Sequence, residues 1–160
     1  MHWNRDNKIF NWPEDRFDFA DIPHVVLAPG CFDLLHYSHI DYLQRASLLG
    51  DKLYVALNSD RSVSYAKPGR PFISQKWRAR QLVALEVVTG VILFDEPTPV
   101  TLIEWVRPKI VVCGAEWIKE NPLAVVAAEN FGQVVYLPAS EDNITTTELV
   151  RRLQSKPQEA

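Results

Sequence analysis

Residues 30 to 39 read Gly-Cys-Phe-Asp-Leu-Leu-His-Tyr-Ser-His, and they stand between an apolar strand and a helix. The run from His24 to Ala28 predicts the strand, which Pro29-Gly30 ends. From Ile40 onward apolar residues recur at helical spacing as far as Gly50, which predicts the helix. The stretch therefore brings free backbone amides and two imidazoles to one strand-to-helix corner. Because a helix N-terminus favours an anion, this corner suits the phosphates of a nucleotide.

The rest of the chain alternates between strands and helices. Strands are predicted at about 24–28, 52–57, 91–94, 109–113 and 133–137, and helices at about 39–49, 75–88, 98–106, 122–131 and 146–154. The short strands are apolar throughout, which is typical of a parallel sheet covered by helices on both faces. The pattern predicts an α/β fold: a doubly wound, Rossmann-like parallel sheet of five strands in a single domain. In such sheets ligands bind beyond the carboxyl ends of the strands.

Domain boundaries follow from the same pattern. We expect an aromatic and polar N-terminal extension at 1–22, which packs on the domain or on a second subunit. The domain itself is expected at 23–154, and a flexible tail at 155–160.

Composition limits the classes of function. A chain of 160 residues with 47% hydrophobic residues suits one globular domain. A net charge of -3 gives no general reason to bind nucleic acid or an anionic membrane, so any phosphate site is local. Without an apolar signal segment or a stretch long enough to cross a bilayer, we expect a cytoplasmic protein. Cys31 and Cys113 lack metal-type spacing; reduced thiols are favoured, and a disulfide stays open.

Two further segments follow the second predicted strand. Asn58-Ser59-Asp60 consists of residue types that favour the N-cap of a helix. The segment 64–71 is rich in proline and glycine and is predicted to be an irregular loop. Its Lys67 and Arg70 are either solvated charges or cations that close over a triphosphate. The next helix begins after Ser74 and carries Arg78.

Two more segments lie near the end of the chain. Gly114, Glu116 and Trp117 follow the fourth predicted strand, where the residues by themselves are typical of a plain turn with an exposed acid. Farther on, Thr145 and Glu148 fit a capping box at the start of the last helix. Hydroxyls and free amides at that helix start predict a second anion site. Ser38 and Asp41 also have capping-box spacing, so Ser38 either caps the first helix or touches a phosphate.

The opening motif resembles the Gly-x-Phe-Asp-x-x-His-x-Gly-His signature of the HxGH nucleotidyltransferases, the cytidylyltransferase-like superfamily. Gly30, Phe32, Asp33, His36 and His39 match, and serine stands at the second glycine position. Similar segments follow in the same order from about Val26 to Leu153. Asn58-Ser59-Asp60 and Glu141-Asp142-Asn143 are most similar to the adenylyltransferase domain of ADP-heptose synthase.

The resemblance implies a reaction in which a phosphorylated small molecule attacks the α-phosphorus of a nucleoside triphosphate and pyrophosphate leaves. Since a phosphate oxygen is already a nucleophile, catalysis rests on positioning and charge stabilisation. ATP and a sugar phosphate such as heptose 1-phosphate are the implied substrates. Two alternatives stay open: a CTP-dependent enzyme acting on a sugar or polyol phosphate, and a non-catalytic nucleotide-binding regulatory protein.

The resemblance also implies the site residues. The predicted catalytic residues are His36, His39 and Lys67. The predicted nucleotide-binding residues are Gly30, Cys31, Phe32, Asp33, Ser38, Asn58, Asp60, Arg78, Gly114, Glu116, Trp117, Thr145, Thr146 and Thr147. Mg²⁺ is expected to arrive with the nucleotide, without metal ligands from the protein. We expect a homo-oligomer, a dimer, with no nucleic acid and no membrane among its partners.

Overall fold

A computed structural model of the chain describes residues 6–15, 18–139 and 144–155. A short 3-10 helix, Asp6–Lys8, precedes the first strand. The strands are β1 Ile9–Asn11, β2 Val25–Gly30, β3 Lys52–Asn58, β4 Gly90–Phe94, β5 Ile110–Cys113 and β6 Gln133–Tyr136. The helices are α1 Tyr37–Ser47, α2 Asp60–Ala66, α3 Gln75–Ala84, α4 Val100–Val106, α5 Ala115–Glu120, α6 Pro122–Glu129 and α7 Thr146–Ser155. The strands form one sheet in the order β1-β4-β3-β2-β5-β6, and every pair is parallel.

The sheet packs helices on both faces because successive residues of its strands point to opposite sides. Val26 and Ala28 of β2 face a core that α1 and α3 complete. Val25 and Leu27 face a second core that α4 and α6 complete. The predicted doubly wound α/β fold in a single domain is confirmed. In the part of the chain that the structure describes, no helix has the length and apolar character needed to cross a membrane.

The predicted number of strands is wrong, because the described residues form six. The sixth strand is β1, within the segment expected to be an extension, and it pairs with β4 from Ile9 opposite Val91 to Asn11 opposite Leu93. The Trp12 amide then donates to Leu93 O at 2.9 Å. The extension thus supplies hydrogen-bond partners along the edge of β4, whose five residues are all buried.

Two helices, α2 and α5, were not predicted. Ser59 is the N-cap of α2, since its hydroxyl accepts the Ser62 amide, so the capping interpretation of Asn58-Ser59-Asp60 is confirmed. The irregular loop predicted from residue 64 is wrong over its first three residues, which complete α2. The predicted helix 75–88 ends at Ala84, because Leu85 turns to extended backbone.

Candidate active site

The site lies at the edge of the sheet where β3, β2 and β5 end, at Asn58, Gly30 and Cys113. These strands are neighbours, so the segments that follow them are brought together. From β2 the chain continues through β3 to β4 on one side, and later through β5 to β6 on the other. The change of direction between β2 and β5 is the topological switch point, where open α/β sheets bind ligands.

The corner between β2 and α1 has an unusual backbone. Phe32 and Leu34 both adopt left-handed conformations, with φ of 47° and 52°. A Cβ on Gly30 would lie 2.8 Å from the Phe32 ring, so only glycine lets this ring fold back onto the strand end. Backbone of this kind costs free energy in non-glycine residues and is concentrated at functional sites. The first helix begins beyond it with His36 as N-cap, so of the two alternatives left open for Ser38, capping of α1 is wrong.

His36 and His39 are stacked, with ring centroids 3.9 Å apart and an interplanar angle of 30°. The His39 ring also contacts Phe32, at 5.4 Å between centroids. The Nδ1 atoms of both histidines are buried and have no hydrogen-bond partner among the described residues. Burial lowers the pKa of His36. Burial first, and the neighbouring His36 second, lower the pKa of His39 to about 3. Both imidazoles are therefore neutral at pH 7 and each carries one N–H donor.

The N-terminus of α7 converges on the same corner. Thr146 Oγ1 donates to Asp33 O at 3.1 Å and lies 3.4 Å from His36 Nε2. Thr145 Oγ1 accepts the Glu148 amide at 3.1 Å, which confirms the capping bond predicted for this helix start. Two helix N-termini and two imidazoles thus face one region, an arrangement that favours a bound anion.

The Asp33 carboxylate connects the corner to the cationic loop after α2. It accepts hydrogen bonds from the amides of Phe72 and Ile73, each at 3.0 Å, and pairs with Arg70 at 3.5 Å. Lys67, at the end of α2, is exposed. Burial raises the pKa of the Cys31 thiol, and the charge of Lys67 opposes that rise. Lys67 is therefore near enough to act electrostatically on the corner.

Arg78 was predicted as a phosphate ligand, and the structure buries it completely. Its guanidinium donates to Ile73 O at 2.8 Å, to Cys31 O at 2.6 Å and to Asp60 Oδ1 at 2.8 Å. Asp60 Oδ1 also accepts the Gln75 amide at 2.7 Å. In this conformation Arg78 joins the corner, the loop end and α2, and its donors face protein acceptors.

The remaining predicted residues differ in their distance from the corner. Asn58 is close, since the Cys31 thiol lies 3.8 Å from its Oδ1. Gly114 is the N-cap of α5 and has open space around it, and Glu116 in the first turn is exposed. Trp117 packs against the core formed with α4 and α6, so the structure does not bring its ring to the imidazoles. Thr147 is exposed in the first turn of α7.

Some predicted residues lie outside the described part or need a different interpretation. Glu141, Asp142 and Asn143 are outside the described residues. Cys31 and Cys113 are both free thiols.

The sequence analysis did not predict a role for Tyr42, whose hydroxyl donates to Val112 O at 2.7 Å and connects α1 to β5 beneath the switch point. In the sequence, the spacing of three residues between His39 and Tyr42 indicates only that both belong to one helix, and it does not indicate a hydrogen bond to β5.

Two cavities open away from the corner. One, of about 540 Å³, is lined by α3 residues and by Phe72. The other, of about 580 Å³, lies where β1 and β4 end, around Trp12 and Asp95. Neither is lined by the paired histidines. Among the described residues, only the corner brings together imidazoles, helix N-termini and a nearby lysine, so its chemistry marks it as the candidate site.

Residues 27–152 match the family described as cytidylyltransferase-like. A bifunctional protein HldE from Methylobacillus flagellatus is 42% identical over 132 residues, which cover 82% of this chain and 27% of that protein. A bifunctional protein HldE from Magnetococcus marinus is 37% identical over 159 residues, 96% of this chain and 33% of that protein. The chain thus spans about a quarter to a third of the length of these relatives.

Solved structures show the same architecture. The lipopolysaccharide core biosynthesis protein from Thermoplasma volcanium GSS1 superposes with a TM-score of 0.63 at 26% identity, over 76% of this chain and 99% of that one. A pantoate-beta-alanine ligase from Francisella tularensis, complexed with beta-gamma ATP and beta-alanine, has a TM-score of 0.53 at 11% identity. That match covers 82% of this chain and 69% of the ligase, and it shows likeness of fold alone.

Proposed function

The chain belongs to the cytidylyltransferase-like family, and from this premise we propose that it is a nucleotidyltransferase. The family resemblance predicted from the sequence is thereby confirmed. In the proposed reaction an oxygen of a phosphorylated small molecule forms a bond to the α-phosphorus of a nucleoside triphosphate. The bond from that phosphorus to the bridging oxygen breaks, and pyrophosphate leaves with the electron pair.

One observation supports this proposal above the others: the stacked imidazoles face Thr146 at the start of α7. Phosphoryl and nucleotidyl transfer need donors fixed where charge develops on the phosphate oxygens. His36 and His39 are proposed to donate there as neutral imidazoles. Their buried, unpartnered Nδ1 atoms fit tautomers with the proton on Nε2. In His36 that atom lies 3.4 Å from Thr146 Oγ1, so its proton points toward the start of α7, where the phosphates are proposed to bind. The hydroxyls and amides at the start of α7 are proposed to bind the β- and γ-phosphates, and Lys67 to neutralise them.

We propose ATP as the nucleotide and a sugar phosphate, such as heptose 1-phosphate, as the acceptor. The HldE relatives and the lipopolysaccharide core biosynthesis protein support a role in carbohydrate metabolism. CTP is the alternative nucleotide, with a sugar or polyol phosphate as acceptor. The expected dimer and the cytoplasmic location belong to the same proposal.

The nucleotide is proposed to bind as its Mg²⁺ complex. Among residues 6–15, 18–139 and 144–155 no group of three or more histidine, cysteine, aspartate or glutamate side chains is arranged to hold a metal ion. Mg²⁺ characteristically keeps several waters and binds through substrate phosphates. We propose that the ion is held by the phosphates of the nucleotide, and that the protein residues act on those phosphates.

Pyrophosphate release tests the proposal. ATP, CTP, GTP and UTP are each supplied with heptose 1-phosphate or with a polyol phosphate, and we expect release with ATP and the sugar phosphate. His36→Ala and His39→Ala should each lower turnover by about 10²- to 10³-fold, the range for loss of one transition-state donor. His24→Asn is the matched control, because His24 lies on the surface paired with Asp51 and has positive φ that asparagine tolerates.

Two outcomes would contradict the proposal. Unchanged turnover in both alanine variants would remove the imidazoles from the mechanism. Nucleotide binding without pyrophosphate release for any nucleotide would favour the non-catalytic regulatory protein.

A further inference from the structure

We propose that Ser38 is a positioning residue that holds the start of α7 against the histidine corner. The inference rests on the proposed function, because it gives Ser38 a task in the same site. Ser38 lies in the first turn of α1, between the two histidines, and its Oγ accepts the amide of Ile144 at 2.9 Å. The two residues are 106 positions apart in the chain.

The helix α7 lies at the surface of the domain. No residue of α7 is buried, so the helix is not anchored in either core. At its beginning, Thr146 contacts Asp33 O and His36 Nε2, and Ile144 contacts Ser38. Because Ile144 lies only two residues before Thr146, the Ser38 bond fixes the direction from which the threonines reach the corner.

Serine at position 38 supplies a hydrogen-bond acceptor that the glycine of the signature lacks. Glycine has no side chain to accept an amide, whereas the serine hydroxyl has acceptor sites and one proton of its own. The Ser38 hydroxyl oxygen accepts the hydrogen bond of the Ile144 amide. The bond holds the phosphate-binding end of α7 in place before the nucleotide arrives, so less ordering free energy is lost on binding. Ser38 therefore acts through α7 and is expected to affect nucleotide affinity more than the chemical step.

Steady-state kinetics of the full chain test this role. In Ser38→Ala and Ser38→Gly we expect the KM for the nucleotide to rise about two- to tenfold, the effect of one lost hydrogen bond, with kcat changed less than about twofold. Ser38→Thr keeps the hydroxyl and should rescue the KM. Ser47→Ala is the control, since Ser47 lies on the same helix but donates to Gln44 O within it.

Hydrogen exchange gives a second readout that needs no turnover. The Ile144 amide should exchange about two- to tenfold faster in Ser38→Ala and at the wild-type rate in Ser47→Ala. Unchanged Ile144 exchange in Ser38→Ala, or a KM like that of Ser47→Ala, would overturn the inference. A protein without turnover but with faster Ile144 exchange would refute the proposed function and leave the positioning contact standing.

Discussion

Replacing Arg78 with methionine separates a structural role from a phosphate-binding role. Methionine keeps an apolar stem and removes the guanidinium, which is completely buried and bonded to Ile73 O, Cys31 O and Asp60 Oδ1. Each lost hydrogen bond costs about 1 kcal/mol, and those to charged groups cost more. Three bonds give about 3 kcal/mol. This is a lower limit, because the donor is a charged guanidinium and its loss leaves the Ile73 and Cys31 carbonyls without that partner. Only the Asp60 carboxylate, with 41% of its side chain exposed, regains water.

Urea unfolding of the Arg78→Met variant measures this loss. The lower limit of about 3 kcal/mol corresponds to a fall in Tm of about 6–12 °C for a chain of this size. Arg80→Met is the matched control on the same helix. Arg80 pairs with Asp6 at the surface, and exposed pairs of this kind contribute about 0–1 kcal/mol. The control should therefore unfold within about 1 kcal/mol of the wild type.

The opposite result would refute this reasoning. If Arg78→Met unfolds with the wild-type free energy but loses affinity for the nucleotide, the guanidinium reaches the phosphates, as the sequence motif predicts. The buried conformation would then not be the one that binds substrate.

Two further predictions concern the same corner. Asp33→Ala removes both carboxylate oxygens, and the Phe72 and Ile73 amides both donate to Oδ1. The two amides should therefore exchange faster, and the free energy of unfolding should fall by about 1–3 kcal/mol. Wild-type exchange at both amides would contradict the contact. His39 has a pKa near 3 when folded and an ordinary value of 6.5. As the pH falls, His39 therefore takes up its proton in the unfolded chain before it does so in the folded one. The contribution of His39 to the free energy of unfolding is complete above pH 6.5 and is lost as the pH falls toward 3. Between pH 7 and pH 5 this loss of unfolding free energy is about 2 kcal/mol. Urea unfolding of wild type and of His39→Asn at each pH measures it as the difference between the two proteins. Free energies of unfolding that change in parallel with pH in the two proteins would refute it.

The sequence predicts the central elements well because their signals are local. The five longer strands are apolar runs ended by glycine, proline or polar residues, and the structure has a strand at each of them. The start of α7 was predicted from the capping-box spacing of Thr145 and Glu148, which needs only neighbouring residues.

The elements that were missed have weak local signals or depend on distant partners. β1 has only three residues, too few for a period, and becomes a strand because β4 is beside it. α2 and α5 have seven and six residues, and their helical patterns are short. The role of Ser38 depends on an amide 106 residues away. The sequence likewise identified Arg78 as a cation without showing that Cys31, Ile73 and Asp60 surround it.

The short strand β1 has a practical consequence for anyone who trims this protein. The family match begins at residue 27, beyond β1, so a fragment cut to the matched residues would lose the strand that covers β4. Gly90–Phe94 would then become an uncovered edge of apolar residues with unpaired amides and carbonyls. Edges of this kind recruit other chains and promote aggregation. The strand Ile9–Asn11 therefore protects the edge of β4 from pairing with a second chain.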